Sequence, residues 1–272
     1  MFLRYDIVGG QERVSPLSAD VLYLTVRVLE RGYMTYQAVF RRYELKYLIT
    51  AEQKQAVLKA MDPFMSIDQY GRTTIRNIYF DTDNYRLIRR SIEKPVYKEK
   101  LRLRSYRQAQ PDSKVFVELK KKYNSVVYKR RLSLTEDQAM NWMSGERHYD
   151  KGAQIGQEID YFLNYYGNLH PVVFLAYERE AYYCRDGTDF RVTFDDRILC
   201  RREELSLEAE VWGTSILKEG MTLMEIKCSG GIPLWMVQVL SHERIYKTSY
   251  SKYGTAYQTI IFSEGKGGFI HV

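Results

Sequence analysis

The chain has 272 residues, 45% of them apolar and 28% charged, a balance that supports a sizeable core and excludes a disordered chain. The formal net charge is +7 and the excess is concentrated: residues 86–131 hold sixteen Lys or Arg against four Asp or Glu, which points to an anionic partner. No run of about 18 apolar residues occurs, and 17–29 is too short for a spanning helix and is broken by Arg27, so neither a membrane segment nor a secretory signal is expected. Cys184, Cys200 and Cys228 are odd in number and widely spaced, and the four histidines are scattered. Reduced thiols in a cytoplasmic protein, with no Cys/His metal site, are the expectation.

In chain order, residues 1–33 carry Gly9-Gly10 and no clear period, and read as an N-terminal extension ahead of one patterned domain, 34–272. Alternating runs rich in β-branched and aromatic residues predict strands at 39–48, 73–81, 96–107, 115–121, 126–134, 172–184, 189–201 and 222–228. Helices are expected from Thr50 to about Met61, stopped by Pro63, from Thr135 to about Met143, from Gln154 to Tyr166, from Pro233 to Ser241, and from Ser251 to Phe262. Eight strands with short connections give an α+β fold, an eight-stranded antiparallel β-barrel with helices packed outside.

The faces of the strands are unusual. With a period of two, Lys98, Lys100, Arg102 and Arg104 share one side of their strand and Tyr97, Leu101 and Leu103 the other. The same device recurs as Glu44/Lys46, Glu118/Lys120, Lys129/Arg131 and Glu225/Lys227, each opposite aliphatics. In any one strand, charge facing water is the ordinary reading. If the apolar faces lie under helices, the charged faces must line the inside, where unpaired charge is costly and an anion is the natural occupant. No Gly-Lys-Ser/Thr phosphate loop is present, since "CSGGIPLW" lacks that ending.

The segments "FRRYELKYLI", "IRNIYFDT", "KLRLRSY", "VFVELKKK", "YEREAY", "RVTFDD", "MEIKCSGGIPLW" and "KTSYSKYGTA", in that order from about Tyr36 to Phe262, resemble the catalytic domain of the vacuolar transporter chaperone (VTC) complex and its bacterial relatives. Those domains lie within the CYTH superfamily of triphosphate tunnel enzymes. The resemblance implies a polyphosphate polymerase that transfers the γ-phosphate of ATP to a growing chain with Mn²⁺ or Mg²⁺. The main clamping and catalytic positions it implies are Lys46, Arg102, Arg104, Lys120, Arg179 and Lys227. Further substrate-binding positions are Arg42, Lys129, Arg131, Arg191, Ser251 and Lys252. Glu225 matches the family's metal-binding glutamate, and Glu44, Glu118 and Asp195 are further metal candidates that could instead pair with the lysines.

Arg42 departs from the Glu-x-Glu-x-Lys of hydrolytic relatives, which weakens a triphosphatase reading. A triphosphatase, a module that binds polyphosphate or inositol phosphate, and an outward nucleic-acid surface are the alternatives. No sequence-specific nucleic acid partner is expected, and a membrane partner leaves no trace in the sequence. Tyr79 and Tyr97 are aromatics that could stack on a nucleotide base.

Overall fold

The structure is a computed structural model that describes residues 3–8, 11–16, 43–124, 126–145 and 154–262. The chain divides into two units, Met1–Ala38 and Val39–Val272. In the first, Leu3–Val8 pairs antiparallel with Gln11–Pro16, a strand pair that the mixed polarity of the segment did not announce.

The second unit is built on eight long strands: β1 (Tyr43–Thr50), β2 (Thr73–Asp81), β3 (Tyr97–Tyr106), β4 (Lys114–Tyr123), β5 (Val126–Thr135), β6 (His170–Cys184), β7 (Arg191–Arg201) and β8 (Met221–Cys228). Their order in the sheet is β1-β8-β7-β6-β2-β3-β4-β5, all antiparallel. Three short strands bring the sheet to eleven: Lys247–Thr248 beyond β1, Met65–Ile67 on β6 and Thr214–Ser215 on β7.

The expected closed barrel is corrected here, because β1 and β5 are not hydrogen-bonded and the sheet is open. Lys247–Thr248 takes the outer edge of β1 at Tyr47 and Lys46, where a closing ladder would have to form. The sheet nevertheless curls far round. Glu44 on β1 accepts from Lys120 on β4 at 3.0 Å, although five strands lie between them along the sheet. The segment after Lys247 spans the seam: Tyr250 O accepts from Lys46 on β1 at 2.9 Å, and Ser251 Oγ accepts from Lys100 on β3 at 2.8 Å.

The convex side is apolar and helix-covered. Leu101, Leu103, Val115, Val117 and Leu119 pack under α3 (Glu136–Met143) and α4 (Gln154–Tyr166) through Ala139, Trp142, Ile159 and Phe162. Ile49, Val192, Phe194, Met224 and Ile226 pack under α1 (Ala51–Met61) and α5 (Leu234–His242) through Val57, Met61, Met236 and Leu240. Strand ends start two of these helices. Thr50 and Thr135 each form a reciprocal capping box, with Gln53 and Gln138, so the chain turns from strand to helix within one residue.

A third apolar cluster fills one part of the concave side. Ile75, Tyr79, Val173, Leu175, Tyr177 and Leu223 meet Tyr253, Ala256 and Ile261 of α6 (Lys252–Ala256) and the π-helical turn Tyr257–Ile261. A helix that the sequence pattern missed, α2 (Arg86–Ile92), contributes Ile88. It is short, and Tyr85 before it has φ 56° and makes no side-chain cap. Buried Asp81 at the end of β2 substitutes: its carboxylate accepts from Leu87 N at 2.8 Å, Ile88 N at 2.9 Å and Tyr253 Oη at 2.8 Å.

Replacing Asp81 by Ala would orphan those buried donors, at about 3 kcal/mol of stability. Urea unfolding of Asp81→Ala is expected to show that loss, with Asp81→Asn, which keeps an acceptor oxygen, falling between it and the parent chain.

Candidate active site in the charged concavity

Alternation along each strand, with the apolar residues claimed by the outer helices, turns the charged residues inward. Glu44 and Lys46 come from β1, Lys98, Lys100, Arg102 and Arg104 from β3, and Glu118, Lys120 and Lys122 from β4. Lys129 and Arg131 come from β5, Tyr177 and Arg179 from β6, Arg191, Thr193 and Asp195 from β7, and Glu225 and Lys227 from β8. Lys252 of α6 reaches into the same space. Thirteen basic side chains on these elements thus share the charged half of the concavity with four carboxylates, Glu44, Glu118, Asp195 and Glu225.

Glu118, 1% exposed, is a hub. It takes Arg102 at 2.7 Å, Lys129 at 2.7 Å and Arg131 at 2.7 Å, with Arg104 at 3.9 Å. Burial opposes its ionisation, but Arg102, Arg104, Lys129 and Arg131 overcome that and hold the carboxyl far below the usual range. The arginines are aimed further by neutral groups: Arg102 donates to Tyr79 Oη at 3.0 Å, and Arg104 donates to Asn77 Oδ1 at 2.9 Å and Tyr177 Oη at 3.1 Å.

Asp195 and Glu225 centre a second group. Asp195 receives a two-pronged contact from Arg179, both at 2.6 Å, and Lys252 at 2.5 Å. Glu225 has Lys252 at 3.2 Å, Lys46 at 3.3 Å, Lys227 at 3.4 Å and Arg179 at 3.8 Å. Burial works against both carboxylates, yet their cations keep both low. Burial likewise opposes the Glu44 carboxyl, and Lys120 and Lys227 bring it to about 2.

Three inward lysines, Lys98, Lys100 and Lys122, have no carboxylate partner among the described residues. Lys98 donates to Ser91 O at 3.2 Å and Lys100 to Ser251 Oγ. Burial, then the like charges of Lys120, Lys46, Lys98 and Arg102, pulls the Lys100 ammonium down to about 7. Burial draws Lys129 down to about 8 despite Glu118. Burial leads at both, and at Lys100 the neighbouring cations add to it, whereas Asp195 and Glu225 overcome burial at Lys252 and raise that ammonium.

Most sequence-predicted site residues therefore meet: Lys46, Arg102, Arg104, Lys120, Lys129, Arg131, Arg179, Lys227, Ser251 and Lys252, with Glu44, Glu118, Asp195 and Glu225 among them. Arg191 shares the face of Asp195, but its side chain is 59% exposed and pairs with Asp189 at 4.0 Å. Arg42 lies outside the described residues. Tyr97 faces the convex side, donating to Glu99, and Tyr79 stacks on Tyr253 at 4.7 Å, so neither offers a free ring to a base. The segment Cys228–Gly231 lines a separate cavity of about 450 Å³, floored by Phe64, Phe190 and Trp235.

Sequence reasoning missed several inward groups, among them Lys122, just past the expected strand end at 121. Tyr177, two residues before Arg179 and so on the same face, lies under Lys252 and Arg179. Burial tends to raise its hydroxyl pKa, but Arg104, Arg179 and Lys252 bring it below the ordinary value. Thr193, opposite Glu225 in the ladder, is buried and its Oγ1 has no hydrogen-bond partner among the described residues. Parity with Asp195 was the available signal.

No cluster of three or more His, Cys, Asp or Glu side chains suited to a metal occurs among the described residues. Glu44 and Glu225 do converge, both reaching Lys227, at 3.9 and 3.4 Å. That pair fits a divalent cation carried in on phosphate oxygens, which needs only one or two carboxylates, and not an all-protein cage.

A curled antiparallel sheet with helices outside and cations inside defines the class of protein, and the VTC domain family model matches residues 41–261. The chain belongs to the VTC domain family. Comparison with curated proteins gave no match. Among solved structures it is similar to a candidate adenylate cyclase from Bacillus halodurans, at 14% identity over 79% of this chain and 95% of that one, with a TM-score of 0.49. It is also similar to a candidate adenylyl cyclase from Hippeastrum with a dominant triphosphatase activity, at 16% identity over 82% and 95%, with a TM-score of 0.47. A candidate adenylate cyclase from Vibrio parahaemolyticus matches at 11% identity over 81% and 99%, with a TM-score of 0.45.

The low Lys100 value fixes a sign. An anion bound beside it restores the ammonium toward its ordinary range, so the complex holds more protons than the free protein above about pH 7. Tripolyphosphate affinity is expected to gain less from the Lys100 ammonium as pH rises from about 7 toward 9, since binding must then supply it with a proton. Calorimetry in buffers of different ionisation enthalpy should register proton uptake near pH 8, reduced in Lys100→Arg.

Proposed function

We propose that this chain is a polyphosphate polymerase that transfers the γ-phosphate of ATP to the end of a polyphosphate chain held in the concavity. The observation that carries the reading is the ring of inward cations from seven strands, in a chain of the VTC domain family, with far too few carboxylates to neutralise it. Family membership makes phosphate chains the favoured anion. Lys98, Lys100, Arg102 and Arg104 point into the concavity, so they do not supply the flat outer basic face that a nucleic-acid partner requires.

Phosphoryl transfer asks mainly for in-line positioning and for charge stabilisation on the transferring oxygens. Arg102, Arg104 and Arg179 present planar forks matched to phosphate oxygens, already aimed by Glu118, Asn77, Tyr177 and Asp195. Lys46, Lys120 and Lys227 supply compact charges from β1, β4 and β8, and Lys129, Arg131, Ser251 and Lys252 complete the enclosure, with Arg191 at its exposed end. A phosphate entering here exchanges places with carboxylates as the partner of these cations, so little new ordering is needed. The unpartnered Thr193 hydroxyl is a donor ready for a phosphate oxygen. In the reaction an oxygen of the terminal phosphate of the chain forms a bond to Pγ, the Pγ–O bond to the β-phosphate breaks, and ADP leaves. Glu225 and Glu44 would hold Mn²⁺ or Mg²⁺, which supplies charge neutralisation between phosphates.

Three free, buried thiols fit a reducing, cytoplasmic setting. No helix of the described residues is long and apolar enough to cross a membrane.

Incubation with ATP and Mn²⁺, resolved on a gel, is the deciding experiment: a ladder of long polyphosphate is expected. Release of free phosphate alone would make the chain a triphosphatase. Tight binding of polyphosphate or inositol phosphate without turnover would make it a binding module. Arg104→Ala and Lys227→Ala are each expected to lower product formation at least 100-fold with a near-parental melting temperature, and full activity in both would remove the concavity from the mechanism.

A further inference from the structure

Two inward lysines take no part in the clamp described above. Lys98 and Lys122 face each other in register across β3 and β4, and the next inward pair is Lys100 opposite Lys120. Like charges directly opposite on one face of a sheet repel. Here the repulsion is not relieved within the protein, because neither Lys98 nor Lys122 has a carboxylate partner among the described residues. Elsewhere in the concavity every carboxylate is drawn to cations. Burial, followed by the charges of Lys122, Lys120, Lys94 and Lys46, lowers the Lys98 ammonium. Lys98 is held in place by donation to Ser91 O of α2, at 3.2 Å.

The row is also continuous with the clamp. From Arg104 through Arg102 and Lys100 to Lys98, one inward cation occurs every second residue of a single strand. At a strand rise of about 3.3 Å per residue, they recur roughly every 7 Å. A linear phosphate chain runs along such a row with its charges facing each cation in turn, whereas a triphosphate is too short to fill it.

We propose that Lys98 and Lys122 form an extension subsite that binds the polyphosphate chain beyond the triphosphate clamped at Arg102 and Arg104, and so gives the protein a preference for long chains over tripolyphosphate. The proposal rests on the phosphate-binding reading of the concavity and names the part of it that measures chain length.

The test is a binding titration of the full chain and of the double variant Lys98→Met/Lys122→Met, which keeps the apolar stems, with tripolyphosphate and with polyphosphate of about 60 residues. The parent chain is expected to bind the long polymer more tightly per molecule than tripolyphosphate. The variant is expected to lose about tenfold in long-chain affinity, the scale of two half-buried charge contacts, while its tripolyphosphate affinity stays at the parental value. The slope of long-chain affinity against salt should also fall in the variant. Long-chain affinity and salt slope unchanged in the variant, with tripolyphosphate still bound, would overturn the subsite and leave the clamp standing. A parent chain that binds neither ligand would overturn both.

Discussion

Everything in the second unit depends on keeping an excess of positive charge on the inside of a curled sheet. Charges so confined lose hydration and repel one another, and they persist only where geometry and partners compensate. Four carboxylates provide that compensation. Each is shared among two to four cations rather than matched one to one, with Glu118 alone engaging Arg102, Arg104, Lys129 and Arg131. Sharing leaves the basic groups ordered but incompletely neutralised, which is the state in which an incoming anion gains most.

The apolar structure exists to hold that arrangement. Two clusters on the convex side, under α3 and α4 and under α1 and α5, fix which face of each strand turns inward. The third cluster occupies part of the concave side with α6, whose first residue is Lys252. One helix therefore both packs the interior and delivers an ammonium group to Asp195 and Glu225. Asp81 couples this helix to α2 through Tyr253, so the seam, the core and the charged cluster are mechanically linked.

Much of this was legible in the sequence because strands report their faces directly. The Glu-x-Lys and Arg-x-Arg pairs, set against aliphatics at the intervening positions, located nearly every inward group. What escaped had physical reasons. Helix α2 is capped by Asp81, several residues before it in sequence, so no local signal marked its start. Tyr177 and Thr193 are neutral, and a search for charge passed over them. Closure was expected from the strand count, but counting strands cannot show that Lys247–Thr248 would claim the free edge of β1.

That open seam has a consequence of its own. Where a barrel is closed by a backbone ladder, widening it means tearing main-chain hydrogen bonds. Here the two margins are spanned by Glu44 with Lys120 and by the side chains of Lys46 and Lys100 reaching the 247–252 segment. An anion that competes for those lysines acts on the lumen's girth directly, and every ladder in the sheet stays whole while it does so.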